Sequence, residues 1–194
     1  MNAFIQSPET LSMRDRILDA AESVAAMGAA HLTLDAVAHE AGVSKGGLLH
    51  HFRSKEGLLA AMLRRHCDRS EAEIDAGVKK HGETLEGHLL ARMDSRLNFA
   101  RRHGKVGAAL LGALASDPAL MTRPRKDDAA HVAAMSELPG DLDLALVTLF
   151  AINGLMLSEM LGLNCIDESR RACVTTKLRE LAAQCSQAPR TRRP

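Results

Sequence analysis

Aromatic residues are almost missing from this chain: four Phe, no Tyr and no Trp in 194 residues. Val and Ile are also scarce, so the residues that favour strands are thin throughout. Ala, Leu and Met supply the apolar mass instead, and these are strong helix formers. An all-α fold is therefore expected. Charge of one sign is lacking too: the formal net charge is +1. Whole-chain charge gives no argument for nucleic acid, and any basic patch must be local. Cys67, Cys165, Cys173 and Cys185 contain no CxxC pair, which leaves no zinc framework. Reduced thiols in a cytosolic protein are the expectation, and spacing alone does not support a redox pair. Met1 to Thr10 contains Pro8 and lacks a charged segment followed by an apolar one, so it reads as an arm rather than a signal peptide. Residues 1–11 and 187–194 are expected to be disordered. The most apolar stretch, Leu142 to Leu163, has only fifteen uncharged residues between Asp143 and Glu159. That falls short of the roughly 20 needed for a bilayer span, so a buried helix and no membrane partner are expected.

What is present is helical periodicity. Ile17, Leu18, Ala21, Val24 and Ala25 share one face of a helix over Ser12 to Met27, which Gly28 can end. Thr33 has the place of an N-cap for Leu34 to Ala41, with Asp35 in the first turn favouring the dipole. Gly42 closes that helix. Ser44 caps a third short helix carrying Leu48 and Phe52, and Ser54 caps a longer fourth with Leu58, Leu59, Met62 and Leu63. Leu85, Leu89, Met93, Leu97 and Ala100 step along one face, and a second run follows Gly104. Asp117-Pro118 is a helix start. Thr122 to Asp128, charged and containing Pro124, reads as a loop or helix break. Pro139-Gly140 is a turn. Leu142 to Leu163 is apolar on nearly every side, so it needs cover on both, and a second copy of the chain is the natural cover. Glu168 to Cys185 forms a last helix, and two such pairs of helices would make a four-helix bundle. The boundary between an N-terminal domain (12–66) and a C-terminal one (83–186) falls within the fourth helix.

Thr33 to Ala41, Gly42-Val43-Ser44 and Lys45 to Phe52 have the three parts of a helix-turn-helix: a first helix, a tight glycine turn and a second helix for the major groove. Val43, Leu48 and Phe52 point inward. Lys45, Gly46, Gly47, Leu49, His50 and His51 remain outside. Lys45 can reach a phosphate or a guanine edge, and the histidines can donate or accept. The glycines let the backbone approach the duplex closely. Lys55 adds charge, and the amides opened by Ser54 suit a phosphate. From Gly42 to Lys55 there are three basic residues, two histidines and no acid, and the acids of the other helices are expected to face away. Thr33, Ser44, Lys45, Gly46, Gly47, Leu49, His50, His51 and Lys55 are the DNA-binding candidates.

This segment resembles the N-terminal domain of the TetR family of bacterial one-component regulators. The matching residues are Ile17-Leu18-Asp19-Ala20-Ala21, Thr33, Ala41 through Phe52, and Lys55-Glu56. The family's common Thr is Gly47 here and its common Tyr is Leu49. A backbone contact made by that Tyr must become apolar, shift to His50, or be lost. The resemblance implies an all-α homodimer, with an N-terminal helix-turn-helix domain and a C-terminal helical effector and dimerisation domain. It implies repression at a palindromic double-stranded DNA operator in the bacterial cytoplasm, released by a small-molecule effector. Met93, Arg96, Phe99, Ala100, Met135, Met156 and Met160 are the effector-pocket candidates, and an Arg there would prefer an anionic ligand. Arg92, Arg96, Phe99 and His103 share a stripe that reads first as a solvated face, with a pocket lining as the sharper alternative. Leu146, Phe150, Asn153, Leu157, Val174 and Leu178 are the dimer-interface candidates; Asn153 faces either the seam or the pocket.

No catalytic residue, metal or cofactor is expected. His39-Glu40 opens like a zinc-protease motif, but Val43 occupies the place of the second His. His50 and His51 diverge by about 100° on a helix and cannot easily share an ion. Gly46-Gly47 lacks the surroundings of a phosphate loop. A helical enzyme would need paired titratable groups in a pocket, which the spacing does not offer. The other alternative is a helical dimeric protein-interaction module without effector control.

Overall fold

The computed structural model describes residues 12–163 and 166–187. The expectations for residues 1–11, for Asn164 and Cys165, and for 188–194 lie outside the described residues; Gln187 ends the last helix. Eight α-helices are described: α1 (Met13–Met27), α2 (Leu34–Glu40), α3 (Lys45–His51), α4 (Lys55–His81), α5 (Leu85–Ser116), α6 (Thr122–Ser136), α7 (Leu142–Met160) and α8 (Glu168–Gln187). Short 3-10 turns over Ala29–His31 and Pro118–Met121 complete the chain.

Local chemistry sets most of the helix starts. Ser12, Thr33, Ser44, Ser54, Thr84 and Asp141 each accept a hydrogen bond from a backbone N–H in the first turn of the helix that follows. The turn after α2 is a Schellman motif: Gly42 N–H donates to His39 O (3.1 Å), Val43 N–H to Ala38 O (3.0 Å), and Gly42 has φ +65°.

One expectation is corrected. Thr122 to Asp128 is not a break but the start of α6. Pro124 lies in the first turn, where its missing N–H has no intrahelical acceptor to lose. The two runs on either side of Gly104 are both helical, as expected, and meet across a kink at His103, whose φ −132° and ψ 23° leave the helical region; together they are numbered α5.

Two large apolar cores result, with a small third cluster of Ile74, Val78 and Ala91 between α4 and α5, and α5 contributes to all three. Ile17, Leu18, Val24, Val37, Leu48, Phe52, Leu58 and Met62 fill the first, sealed by Val106, Ala109 and Leu110 of α5. Leu85, Leu89, Met93, Met135, Leu149, Ile152, Leu178 and Cys185 fill the second. The turn before α7 is pinned to the end of α8, where Asp141 N–H donates to Cys185 O (2.9 Å). By length and composition α7 could cross a bilayer. One flank of it, however, is filled by α5 and α8, and Glu159 at its end is paired with Arg171. Its other flank is open: Val147 is 62% exposed and Phe150 69%. The expectation that this helix needs cover on two sides meets a single chain that supplies one.

Candidate nucleic-acid interface and inner cavity

Helix α3 is only seven residues long and carries two glycines, so it cannot stand alone. It is held from beneath. Leu48 is fully buried and Phe52 is 4% exposed. Two arginines of α1 clamp the unit: Arg14 lies 5.2 Å over the Phe52 ring, and Arg16 donates to Ala41 O at 3.3 Å. The outer face presents Lys45, Gly46, Gly47, Leu49, His50 and His51, all exposed, with Thr33 and Lys55 exposed at the starts of α2 and α4. Ser44 is exposed and its hydroxyl accepts from Gly47 N–H (3.1 Å).

One electrostatic expectation fails. Asp35 does not face away: its carboxylate pairs with Lys45 Nζ at 2.9 Å. The pair is exposed on both sides, so it is weak, on the order of 0–1 kcal/mol. A phosphate can take Lys45 from it. Ten residues separate the two in sequence, and only the folded angle between α2 and α3 brings them together.

The glycines of α3 are informative. Both have negative φ, so no turn requires them. A Cβ on Gly46 would meet nothing nearer than Ser44 Oγ at 4.0 Å. Gly46 therefore costs helix stability without any internal close contact in return. A helix face with its backbone bared outward suits close approach by something outside the chain.

The second feature is a partly open cavity of about 310 Å³ lined by α4, α5, α6 and α7, with Glu22 of α1 at its edge. Its apolar side includes Met62, Leu110, Met156 and Met160. Phe99 stacks on His66 with ring centres 3.9 Å apart and on His103 at 5.7 Å. Burial, helped by the neighbouring Arg96, pushes the His66 imidazole down to about 4. At its polar end Arg92 and Arg96 both donate to Asp128 Oδ1, at 3.1 and 2.9 Å. Arg92 is 2% exposed, and its desolvation lowers its pKa. Burial next to Arg92 also lowers the His131 imidazole. Arg123 of α6 ties this wall to α4 through Asp68 (3.0 Å) and Glu71 (3.1 Å).

Of the effector-pocket candidates, Arg96, Phe99, Met156 and Met160 line this cavity. Met93 and Met135 do not: both are sealed in the second core. Ala100 lies instead beside a shallower hollow at the α5 bend. The sequence reading missed the α4 wall, with His66, and Asp128 on α6. The four-residue spacing of Arg92 and Arg96 was the available signal; their partner lay in a segment read as a loop.

Of the dimer-interface candidates, Phe150 and Leu157 are exposed, and Leu146, Asn153 and Val174 are half-buried. Leu178 is corrected: it is 4% exposed inside the chain's own core and has no surface for a second copy. Asn153 does not line the cavity, and its Oδ1 is buried without a partner.

The described cysteines, Cys67, Cys173 and Cys185, are free thiols. Burial raises the pKa of Cys67 and Cys185, which disfavours the reactive thiolate. No cluster of three or more metal-ligating side chains occurs among the described residues.

Comparison with known proteins agrees with this geometry. Residues 17–62 match the model of bacterial regulatory proteins of the tetR family. Residues 82–183 match the tetracyclin repressor-like C-terminal domain. The HTH-type transcriptional regulator SrpR of Pseudomonas putida is 36% identical over 90 residues, covering 45% of this chain and 41% of that protein. The match thus spans less than half of that relative. A transcriptional regulator from Rhodococcus sp. Rha1 shares the fold, with TM-score 0.72 and 24% identity over 94% of this chain and all (100%) of the other. The multidrug binding protein EbrR, solved with imidazole, does so with TM-score 0.65 and 23% identity over 94% and 99%.

Proposed function

This chain belongs to the TetR family of bacterial regulators, so it is a DNA-binding transcription regulator and not an enzyme, and from that premise we propose that it is a homodimeric repressor released from a palindromic operator by a small-molecule effector. In this reading residues 12–66 dock on DNA and 83–186 bind the effector and the second copy. Thr33, Ser44, Lys45, Gly46, Gly47, Leu49, His50, His51 and Lys55 form the docking face. Arg96, Phe99, Met156 and Met160 serve the effector, and Phe150, Leu157 and their neighbours on α7 serve the dimer. It acts in the cytoplasm, on the nucleoid when bound.

The observation that carries the reading is α4. It is one uninterrupted helix of 27 residues, about 40 Å long. It begins at Lys55 beside the docking face, and Met62 to Ile74 form a wall of the cavity. A rigid element shared by two sites can transmit a change at one to the other. A protein-interaction module without effector control would have no use for a cavity on the same helix.

The test is fluorescence anisotropy on the protein's own upstream DNA with a salt titration, followed by a metabolite screen for release. Sequence-specific binding with a steep salt slope is expected. Lys55→Ala should weaken binding to all DNA and flatten the log–log salt slope by about one. An unchanged slope would remove Lys55 from the contact set.

A further inference from the structure

We propose that the cavity takes a flat, apolar carboxylate, whose anionic end sits on Arg96 in the place Asp128 now holds. This rests on the effector reading and adds the chemical class of the effector. A single oxygen, Asp128 Oδ1, serves two guanidinium groups, Arg92 and Arg96. Arg96 Nε is buried and has no partner at all. An arginine fork offers parallel N–H groups that match both oxygens of a carboxylate, so the cavity's polar end offers more donors than its own acid accepts.

The other acids nearby are engaged. Glu73 accepts from Ser95 Oγ at 2.8 Å, and Glu71 and Asp127 are held by Arg123. Asp128 is the replaceable partner, because its side chain is 57% exposed whereas that of Arg92 is 2% exposed. The carboxylate can turn to water; the arginine cannot. Beside the arginines the lining has an apolar side, with Met62, Leu110, Met156 and Met160, for the body of the ligand, and a flat ring there would extend the stack of Phe99 on His66. Gly107 leaves room on the α5 wall for the Met160 and Phe99 side chains, since a Cβ there would overlap Met160 Cε and lie 2.9 Å from Phe99 Cε1. Displacing Asp128 also loosens α6 from α5, leaving α6 tied to α4 through Arg123. A ligand in that place would act on the helix that reaches the docking face.

The absence of Trp and Tyr makes the test direct, because a fluorescent ligand can be read without protein emission. The full chain is titrated with 2-naphthoate, the neutral 2-naphthamide and the cationic 2-naphthylmethylamine. Saturable binding of naphthoate is expected, with the amide weaker by about tenfold or more and the amine weaker still. Arg96→Gln should bring naphthoate down to the level of the amide, its fold checked by circular dichroism. Asp128→Asn should raise naphthoate affinity several-fold and leave the amide unchanged. No saturable naphthoate binding, equal binding of the amide or amine, or no gain in Asp128→Asn would overturn the proposal. If naphthoate binds as expected but leaves the operator complex intact, effector release fails and the ligand class stands. If other compounds release the operator while naphthoate does not bind, the ligand class fails and effector release stands.

Discussion

At the scale of single residues, the proposed docking face depends on what side chains omit as much as on what they offer. Gly46 carries no packing duty inside the chain, so Gly46→Ala isolates the cost of baring the backbone. It should raise the stability of the free protein by about 0.5–1 kcal/mol, as Ala for Gly does in helix interiors. It should also weaken operator binding, because the added methyl would stand on the proposed docking face. Urea denaturation beside DNA titration reads both, and a stabilised protein with unchanged affinity would remove Gly46 from the interface. His66 carries a different kind of cost. The unfolded chain takes up a proton near pH 6.5, while the folded chain resists until about 4. Between these values the unfolded state binds more protons, so stability falls as pH falls. From pH 7 to pH 5 the loss due to His66 should be roughly 2 kcal/mol. His131, lowered by burial beside Arg92, acts in the same direction. His66→Gln should flatten the decline in denaturation midpoint over this range. An unchanged slope would mean that the imidazole is hydrated in solution.

At the scale of elements, turns decide how helices meet, and two glycines show how differently they can do it. Gly42 has φ +65°, and a Cβ there would meet nothing within 4 Å. Its replacement by Ala should cost only the backbone term, about 1–2 kcal/mol. Gly140 has φ +132°, and its Cβ would fall 2.3 Å from Cys185 O, the carbonyl that holds the start of α7 to the end of α8. Gly140→Ala should cost more, about 2–4 kcal/mol, and thermal melts of the two variants should rank them so. Equal melting temperatures would contradict the close approach at Gly140. The same contrast explains what could be read beforehand. Thr33, Ser44, Ser54 and Gly42 act on neighbours three to five residues away, so the helix-turn-helix was legible in sequence. Lys45 on Asp35, and Arg92 and Arg96 on Asp128, depend on how helices cross. No local pattern encodes those pairs. Pro124 misled because its effect depends on position: it breaks the middle of a helix but fits the first turn. Leu178 misled because an apolar stripe reports that a face is covered without saying by what.

At the scale of the whole molecule, one chain leaves an apolar face of α7 in water. Val147, Phe150, Leu157 and Leu161 are between 39% and 69% exposed. Gly154 lies among them, and a Cβ there would meet nothing within 4 Å. A contiguous apolar face of this kind on a soluble protein marks a contact surface. In the proposed dimer two copies would share this face, and each would bring one α3 to the operator. Specific recognition by such helices needs two half-sites about 34–36 Å apart. Joining two weak contacts in one particle raises affinity by about 10²–10⁴-fold without any new contact to DNA. In the proposed dimer, Phe150→Glu would bury a charge in the seam, and Phe150 does not line the inner cavity. It should halve the mass measured by light scattering while the single-chain helix content stays intact. Operator affinity should then fall by about 10²-fold or more, while binding to a lone half-site changes little. A variant of undiminished mass would show that another surface joins the copies. A monomer that still held the full operator with undiminished affinity would show that DNA binding does not need the pair.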